Sequence, residues 1–208
     1  MFADPRTEKH NRAIFNAIVA PRPIGWISSL SAAGHVNLAP FSHFNIVSTA
    51  PAVILFSCNT PGDRAEKDTL SNVRATGEFV YNLATYDLRE AVNTSSTPAA
   101  PDVDEFELAK LEKAPSINVK PPRVAASPAN LECEVLRIVE IEPEYPGETS
   151  SNVVFGRVVG MHIRDEYVMA NGRFDTVKAQ PLTRLGGIQY APPGTIFEMP
   201  APFRRVGE

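Results

Sequence analysis

Short apolar runs rich in β-branched and aromatic residues, each bounded by Gly, Pro or Asn, recur along most of the chain. Residues 53–57, 78–83, 131–141, 153–163 and 166–169 have this form, and each predicts a strand. Leu131, Cys133 and Val135 alternate with Glu132, Glu134 and Arg137, the pattern of a half-exposed strand, whereas Val53-Ile54-Leu55-Phe56 is apolar on both faces and predicts a central one. Helical patterning is sparse: residues 7–17, 68–75, 87–93 and 104–111 are the candidates, the second opening on a capping Asp or Thr and stopping at Gly77. No βαβ rhythm and no internal repeat emerge. The expectation is a mostly β, antiparallel protein with short peripheral helices.

Residues 20–45 depart from this rhythm. Pro21 and Pro23 hold the approach extended, residues 24–30 predict a strand, residues 31–35 supply turn chemistry around Gly34, and residues 36–38 begin the return. Ala39, Pro40, Phe41, Ser42 and Asn45 then stand where a plain hairpin would continue in alternation. That surplus predicts backbone and hydroxyl groups shaped around a ligand.

Composition bounds the remaining possibilities. The chain has 208 residues, 43% of them hydrophobic, which suits one domain with a substantial core. Residues 94–128, rich in Pro, Ala, Ser and Asp, read as an excursion from the β core, and the proline-rich tail from about residue 191 reads as an extended arm reaching a neighbour. A net charge of -4 gives no general attraction to nucleic acid or to an anionic membrane. Residues 1–10 lack the apolar core of a signal peptide and no segment is long and apolar enough to span a bilayer, so a soluble, cytoplasmic protein is expected. Cys58 and Cys133 lie far apart without metal-ligand spacing; neither a disulfide framework nor a metal site is expected.

Three constellations carry candidate chemistry. In the first, Arg64 and Lys67 precede a predicted helix beginning at Asp68 and Thr69, so two cations, a hydroxyl and helix N–H groups can converge on a phosphate. The alternative is a capped helix with two solvated cations. Ser28, Ser29 and Ser57 are additional donors if strand ends meet there. In the second, Gly186 and Gly187 allow close backbone approach beside Arg184 and Tyr190; an ordinary glycine turn fits the same pattern. The third is Trp26, the single tryptophan, either a ring-stacking platform or a core residue.

One ordered set of residues joins these pieces: Pro21-Arg22-Pro23-Ile24-Gly25-Trp26-Ile27-Ser28-Ser29, residues 34–37, Leu38-Ala39-Pro40-Phe41-Ser42 through Asn45, Lys67-Asp68-Thr69, Gly77-Glu78-Phe79 with Asn82, Leu131-Glu132-Cys133, and Arg184-Leu185-Gly186-Gly187 with Tyr190. In this order the chain resembles the flavin reductase-like proteins, whose fold is an FMN-binding split β-barrel of antiparallel, Greek-key type. The resemblance implies a homodimer with FMN near the dimer interface. It implies isoalloxazine and ribityl contacts at Trp26, Ser28, Ser29, Asn37, Leu38, Ala39, Pro40, Phe41 and Ser42, with Asn45 a further polar candidate. It places the phosphate at Ser57, Arg64, Lys67 and Thr69, with Asp68 as helix cap, and adds Arg184 and Tyr190. The implied activity is NAD(P)H-dependent flavin reduction, with NADH or NADPH as transient donor and an electron acceptor or flavin-dependent oxygenase as partner. The flavin carries that chemistry, so no catalytic acid or base is required; His43 is the side chain expected at the open face. A non-enzymatic FMN electron carrier or store would use the same contacts, and a flavin-free barrel is the third alternative.

Overall fold

In a computed structural model, residues 2, 4, 12–60, 66–145 and 148–200 are described. The strands are β1 (Arg22–Pro23), β2 (Gly25–Leu30), β3 (Val36–Phe41), β4 (Phe44–Thr49), β5 (Ala52–Asn59), β6 (Glu78–Leu83), β7 (Lys113–Ala114), β8 (Arg123–Val124), β9 (Ala129–Ile141), β10 (Ser151–Ile163), β11 (Thr183–Arg184) and β12 (Tyr190–Ala191). The helices are α1 (Arg12–Ile18), α2 (Asp68–Thr76), α3 (Arg89–Thr94), α4 (Glu105–Leu108) and α5 (Thr176–Ala179). Seven strands form one antiparallel sheet in the order β3-β2-β6-β9-β10-β5-β4; β1-β11-β12 and β7-β8 form small sheets.

The two ends of that order are consecutive in the chain. Only Ser42 and His43 separate β3 from β4, and the His43 carbonyl accepts the Ser57 N–H at 2.8 Å, so the sheet curls round into a split barrel. The surplus residues 39–45 are therefore mostly strand on either side of a two-residue bend. Pro40 is tolerated because β3 is bonded only to β2, and, like Leu38 two residues before it, it turns its backbone nitrogen away from that partner. The apolar run in β5 has neighbours on both sides, β10 and β4, as its sequence demands.

Inside the barrel pack Ile27, Phe41, Ile54, Phe56, Phe79 and Val154, with Leu70 and Val73 laid on from α2. Phe56 meets Phe41 at 5.1 Å and Phe79 at 5.2 Å between ring centroids. Gly156 makes room for this: a Cβ there would lie 2.3 Å from the Phe79 ring. Cys58 and Cys133 are buried here, and burial pushes the Cys58 thiol up to about 12, so it stays an inert thiol. Gly77 ends α2 in the left-handed region at φ 73°, its N–H donating to the Val73 carbonyl at 3.0 Å.

A second apolar cluster, including Trp26, Leu38, Val92, Phe106 and Val124, lies on the other face of β2 and β3 and is covered by residues 94–128. Polar groups fasten that segment down. Trp26 Nε1 donates to Ser95 Oγ at 2.9 Å and Ser28 Oγ to the Pro122 carbonyl at 2.6 Å. Asn82 Oδ1 accepts from the Val124 N–H and from Asn130 Nδ2, both at 2.8 Å. The fully buried Glu132 carboxylate accepts the Ile117 N–H at 2.7 Å and the Asn118 N–H at 2.6 Å, and pairs with His162.

Three expectations need correction. Residues 166–169 form no strand: Asp165–Tyr167 is a 3-10 turn, and Val168 makes only an isolated bridge to Phe174, because Met169 to Gly172 close a tight turn. Asp68 is not the cap of α2; Lys67 holds that position without a side-chain cap bond, and Asp68 sits in the first turn, where its charge suits the helix dipole. The helix expected over 104–111 is a single turn, α4, with Asp104 as the cap accepting the Phe106 N–H at 2.9 Å. Of residues 7–17, the part before Arg12 lies outside the described residues.

Candidate functional site

Where β3 passes the start of α2, a cleft of about 310 Å³ opens. One wall is β3, with Asn37, Ala39, Pro40 and Phe41; one end is Lys67, Asp68 and Thr69. The facing wall is the loop after α3, Ser95 to Ala99, with Glu105 of α4. Asn37 Nδ2 donates to Thr69 Oγ1 at 3.0 Å, which fixes the strand against the helix start. Lys67 is exposed at the rim, its Nζ 5.5 Å from the centre of the Phe41 ring. A cation, a hydroxyl and the opening turn of a nine-residue helix thus share one end of the cleft.

Glu105 is an acid in the opposite wall, 6% exposed. Its Oε2 accepts the Leu38 N–H at 2.9 Å, satisfying a group on the outer edge of β3 that no strand bonds. Burial pushes this carboxyl up, and Asp68 and Asp104 add to the rise against the opposing pull of the backbone hydrogen bonds.

The structure therefore brings together Asn37, Ala39, Pro40, Phe41, Lys67 and Thr69 from the sequence candidates. It puts others elsewhere. Trp26, Ser28 and Ser29 are fully buried with protein partners; Ser29 Oγ accepts from Asn72 Nδ2 at 3.0 Å. Leu38 turns its side chain into the second apolar cluster and its N–H to Glu105. Ser42 is half-buried at the bend, and Asn45 is exposed with its Oδ1 accepting the Ile46 N–H at 2.8 Å. Ser57 Oγ bonds Ser151 Oγ at 2.8 Å across β5 and β10. Arg64 lies outside the described residues.

Arg184 and Tyr190 pair with each other on β11 and β12, the guanidinium 4.4 Å from the ring centre and bonded to the Tyr190 hydroxyl. Tyr190 lines a separate cavity of about 310 Å³ with Tyr86, Val92 and Leu182, against α3. His43 is exposed in a third hollow beside Phe15 and Asn16, its Nε2 3.4 Å from Asn16 Oδ1. Partial burial, then Arg22 and Lys67, hold its pKa below the ordinary imidazole value, so it is neutral at neutral pH.

Ser96, Thr97 and Glu105 were not among the sequence candidates. The Thr94-Ser95-Ser96-Thr97 run following a helix was the available signal, and nothing local marked Glu105, which meets β3 across 67 residues.

A model of the flavin reductase like domain matches residues 19–178. An uncharacterized protein of Halalkalibacterium halodurans is 36% identical over 199 residues, covering 96% of this chain and 94% of its own. Among solved structures, nitrilotriacetate monooxygenase component B from Bacillus cereus superposes with a TM-score of 0.88 at 31% identity, covering 96% of this chain and 98% of that one. The 2-nitrobenzoate 2-nitroreductase NbaA of Pseudomonas fluorescens gives 0.83 at 26% identity over 100% of both chains.

Proposed function

The chain belongs to the flavin reductase-like family, and from that premise we propose that it is an NAD(P)H-dependent flavin reductase that binds FMN in the cleft between β3 and α2. The observation that carries this reading is the meeting of Asn37, Lys67 and Thr69 at one end of a cleft walled by strand backbone and hydroxyls. These residues fit the group: Lys67 and Thr69 would hold its phosphate, Ser96, Thr97 and Asn37 the ribityl hydroxyls, and the backbone of β3 from Ala39 to Phe41 the ring edge. When bound, FMN supplies the hydride and electron transfer itself, from NADH or NADPH to an acceptor or a partner oxygenase. The chain's own task is to bind, orient and leave one face of the ring open.

Trp26 and Ser28 serve that task at one remove, by fastening the segment that forms the facing wall. His43, neutral and outside the cleft, has no acid role in the scheme. The component B neighbour supports an oxygenase as partner. Exposed Phe15, Ile18, Ile46 and Met161 support a homodimer that covers apolar surface. Among the described residues no helix is long and apolar enough to cross a membrane.

The test is spectroscopic. The protein is expected to take up FMN with a shifted absorption spectrum, and the flavin to bleach anaerobically with NADH or NADPH. Bleaching by dithionite but by neither nicotinamide would replace the reductase with an electron carrier, and no spectral change on adding FMN would remove the flavin altogether.

A further inference from the structure

Where the end of the covering segment meets the end of β10, a cavity of about 330 Å³ opens that the flavin reading does not use. Arg123, Asn130, His162 and Arg164 line it, with Met161 and Ile163 exposed at its edge. It is a different place from the cleft. Pro40, Trp26, Asn82, Asn130 and His162 stand opposite one another on successive strands, so four strand spacings, roughly 19 Å along the sheet, separate the β3 wall from this one.

The donors here are held but not used up. Arg123 is half-buried; its Nε donates to the Pro115 carbonyl at 3.0 Å and one terminal nitrogen to Asn130 Oδ1 at 3.2 Å. Both acceptors are neutral, and a guanidinium carries five N–H groups, so the fork is fixed in direction with N–H groups still to give. Asn130 Nδ2 is itself bonded to Asn82 Oδ1 and the Val124 carbonyl, which sets the amide oxygen towards Arg123. Just past β10, one terminal nitrogen of Arg164 donates to the Ala126 carbonyl at 3.2 Å and the other pairs with Glu166. His162 is anchored through Nε2 to Glu132, which leaves its Nδ1 as a second ring nitrogen without a protein partner among the described residues.

The carboxylates nearby are already engaged. Glu132 is fully buried and its charge reaches Arg123, but its oxygens are taken by the Ile117 and Asn118 N–H groups and by His162. Glu166, nearly half exposed, serves Arg164. Among the described residues no carboxylate bonds Arg123 and none lines the cavity. A guanidinium drawn partly out of water without a bonded counter-charge favours an anion beside it.

We propose that this cavity is an oxyanion site for the phosphate of a small organic ester, separate from the flavin. Two guanidinium groups and an imidazole suit a tetrahedral group with several free oxygens better than a carboxylate, whose two oxygens one arginine fork satisfies. The cavity is larger than a bare phosphate needs, and Ala125, Met161 and Ile163 offer apolar surface to the organic part. The site stands whether or not the cleft takes FMN.

Calorimetric titration with phenyl phosphate, inorganic phosphate and benzoate, with and without saturating FMN, tests this. Phenyl phosphate is expected to bind most tightly, and FMN to make no difference. Arg123→Lys keeps the charge but loses the fork, and is expected to weaken phenyl phosphate by about tenfold. Arg164→Gln should weaken it by a smaller factor, because that exposed side chain already pairs with Glu166. Lys67→Ala, in the cleft, should leave it unchanged. Competition from FMN, or loss in Lys67→Ala, would put the phosphate in the cleft and overturn the second site. Equal affinities in the wild type and Arg123→Lys, or benzoate binding as well as phenyl phosphate, would overturn it too. Failure of FMN to bind would remove the flavin reading and leave this site standing. Proton NMR of the wild type gives a check free of mutation: the His162 ring resonances are expected to move as phenyl phosphate is added while those of His43 stay in place, and unmoved His162 resonances would refute the proposal.

Discussion

Replacing Lys67 by alanine removes the one described cation lining the cleft, and its effect should depend on whether the flavin carries a phosphate. A charge-assisted hydrogen bond to phosphate contributes about 1.5–3 kcal/mol when well formed. Lys67 is exposed at the rim and has Asp68 beside it, so water and the neighbouring carboxylate take part of that. A discounted value of about 1–1.4 kcal/mol is appropriate, or roughly five- to tenfold in FMN affinity. Riboflavin offers Lys67 no phosphate, and the ammonium 5.5 Å from the Phe41 ring centre is all that is lost beside it, so its affinity should move by less than about twofold. Flavin fluorescence titrations of both ligands, at low and high ionic strength, measure the gap directly, and salt should narrow it. Equal losses for the two flavins, or a gap indifferent to salt, would show that the phosphate rests elsewhere.

Three further outcomes follow from the packing. Trp26→Phe leaves the ring volume nearly filled but strips the donor from Ser95 Oγ; we expect a loss of about 1–2 kcal/mol in urea unfolding and weaker flavin binding, and unchanged binding would separate the Ser95 loop from the site. Glu132 is held below the ordinary carboxylate range: burial alone would raise it, but the Ile117 and Asn118 N–H groups and His162 outweigh that. Because its folded value is depressed, its contribution is complete above the unfolded value near ~4.5 and is lost as pH falls through the folded one; Glu132→Gln should lower the neutral-pH melting temperature and flatten the acid limb, and an unchanged limb would refute this. Gly156→Ala must push a Cβ into the Phe79 ring, so thermal unfolding should show a loss of about 1–3 kcal/mol, and a neutral result would mean the ring has room to move.

How much was legible beforehand varied with the distance over which residues meet. The strands β6, β9 and β10 were readable because β-branched runs bounded by turn residues have few other uses. β4 was not, since Phe44–Thr49 carries polar residues and leaves Ile46 and Val47 exposed, and so lacks the alternation of a half-buried strand. Lys67 and Thr69 were readable because a helix start concentrates its chemistry locally. Glu105 and the Ser95 to Thr97 wall were not, because they reach the site only through the folding of residues 94–128 onto β2 and β3. Trp26 and Ser28 were expected against the flavin, and the burial they show instead is a property of the packed sheet: a serine and an indole N–H under a covering segment need partners, and they find them in Pro122 and Ser95.

β3 is the outer strand of the order, and such a strand ordinarily offers a row of free N–H groups to which another chain can add. Here two successive outward positions are closed: at Leu38 the N–H is taken by Glu105, and at Pro40 there is none to give. Protection against aggregation is therefore built into the same residues that border the cleft. A foreign strand cannot zip onto this margin, while a small molecule still can approach it. Evolution towards a wider cleft by replacing Pro40 or Glu105 would reopen a sticky edge, so the two positions are constrained by solubility as well as by whatever they bind.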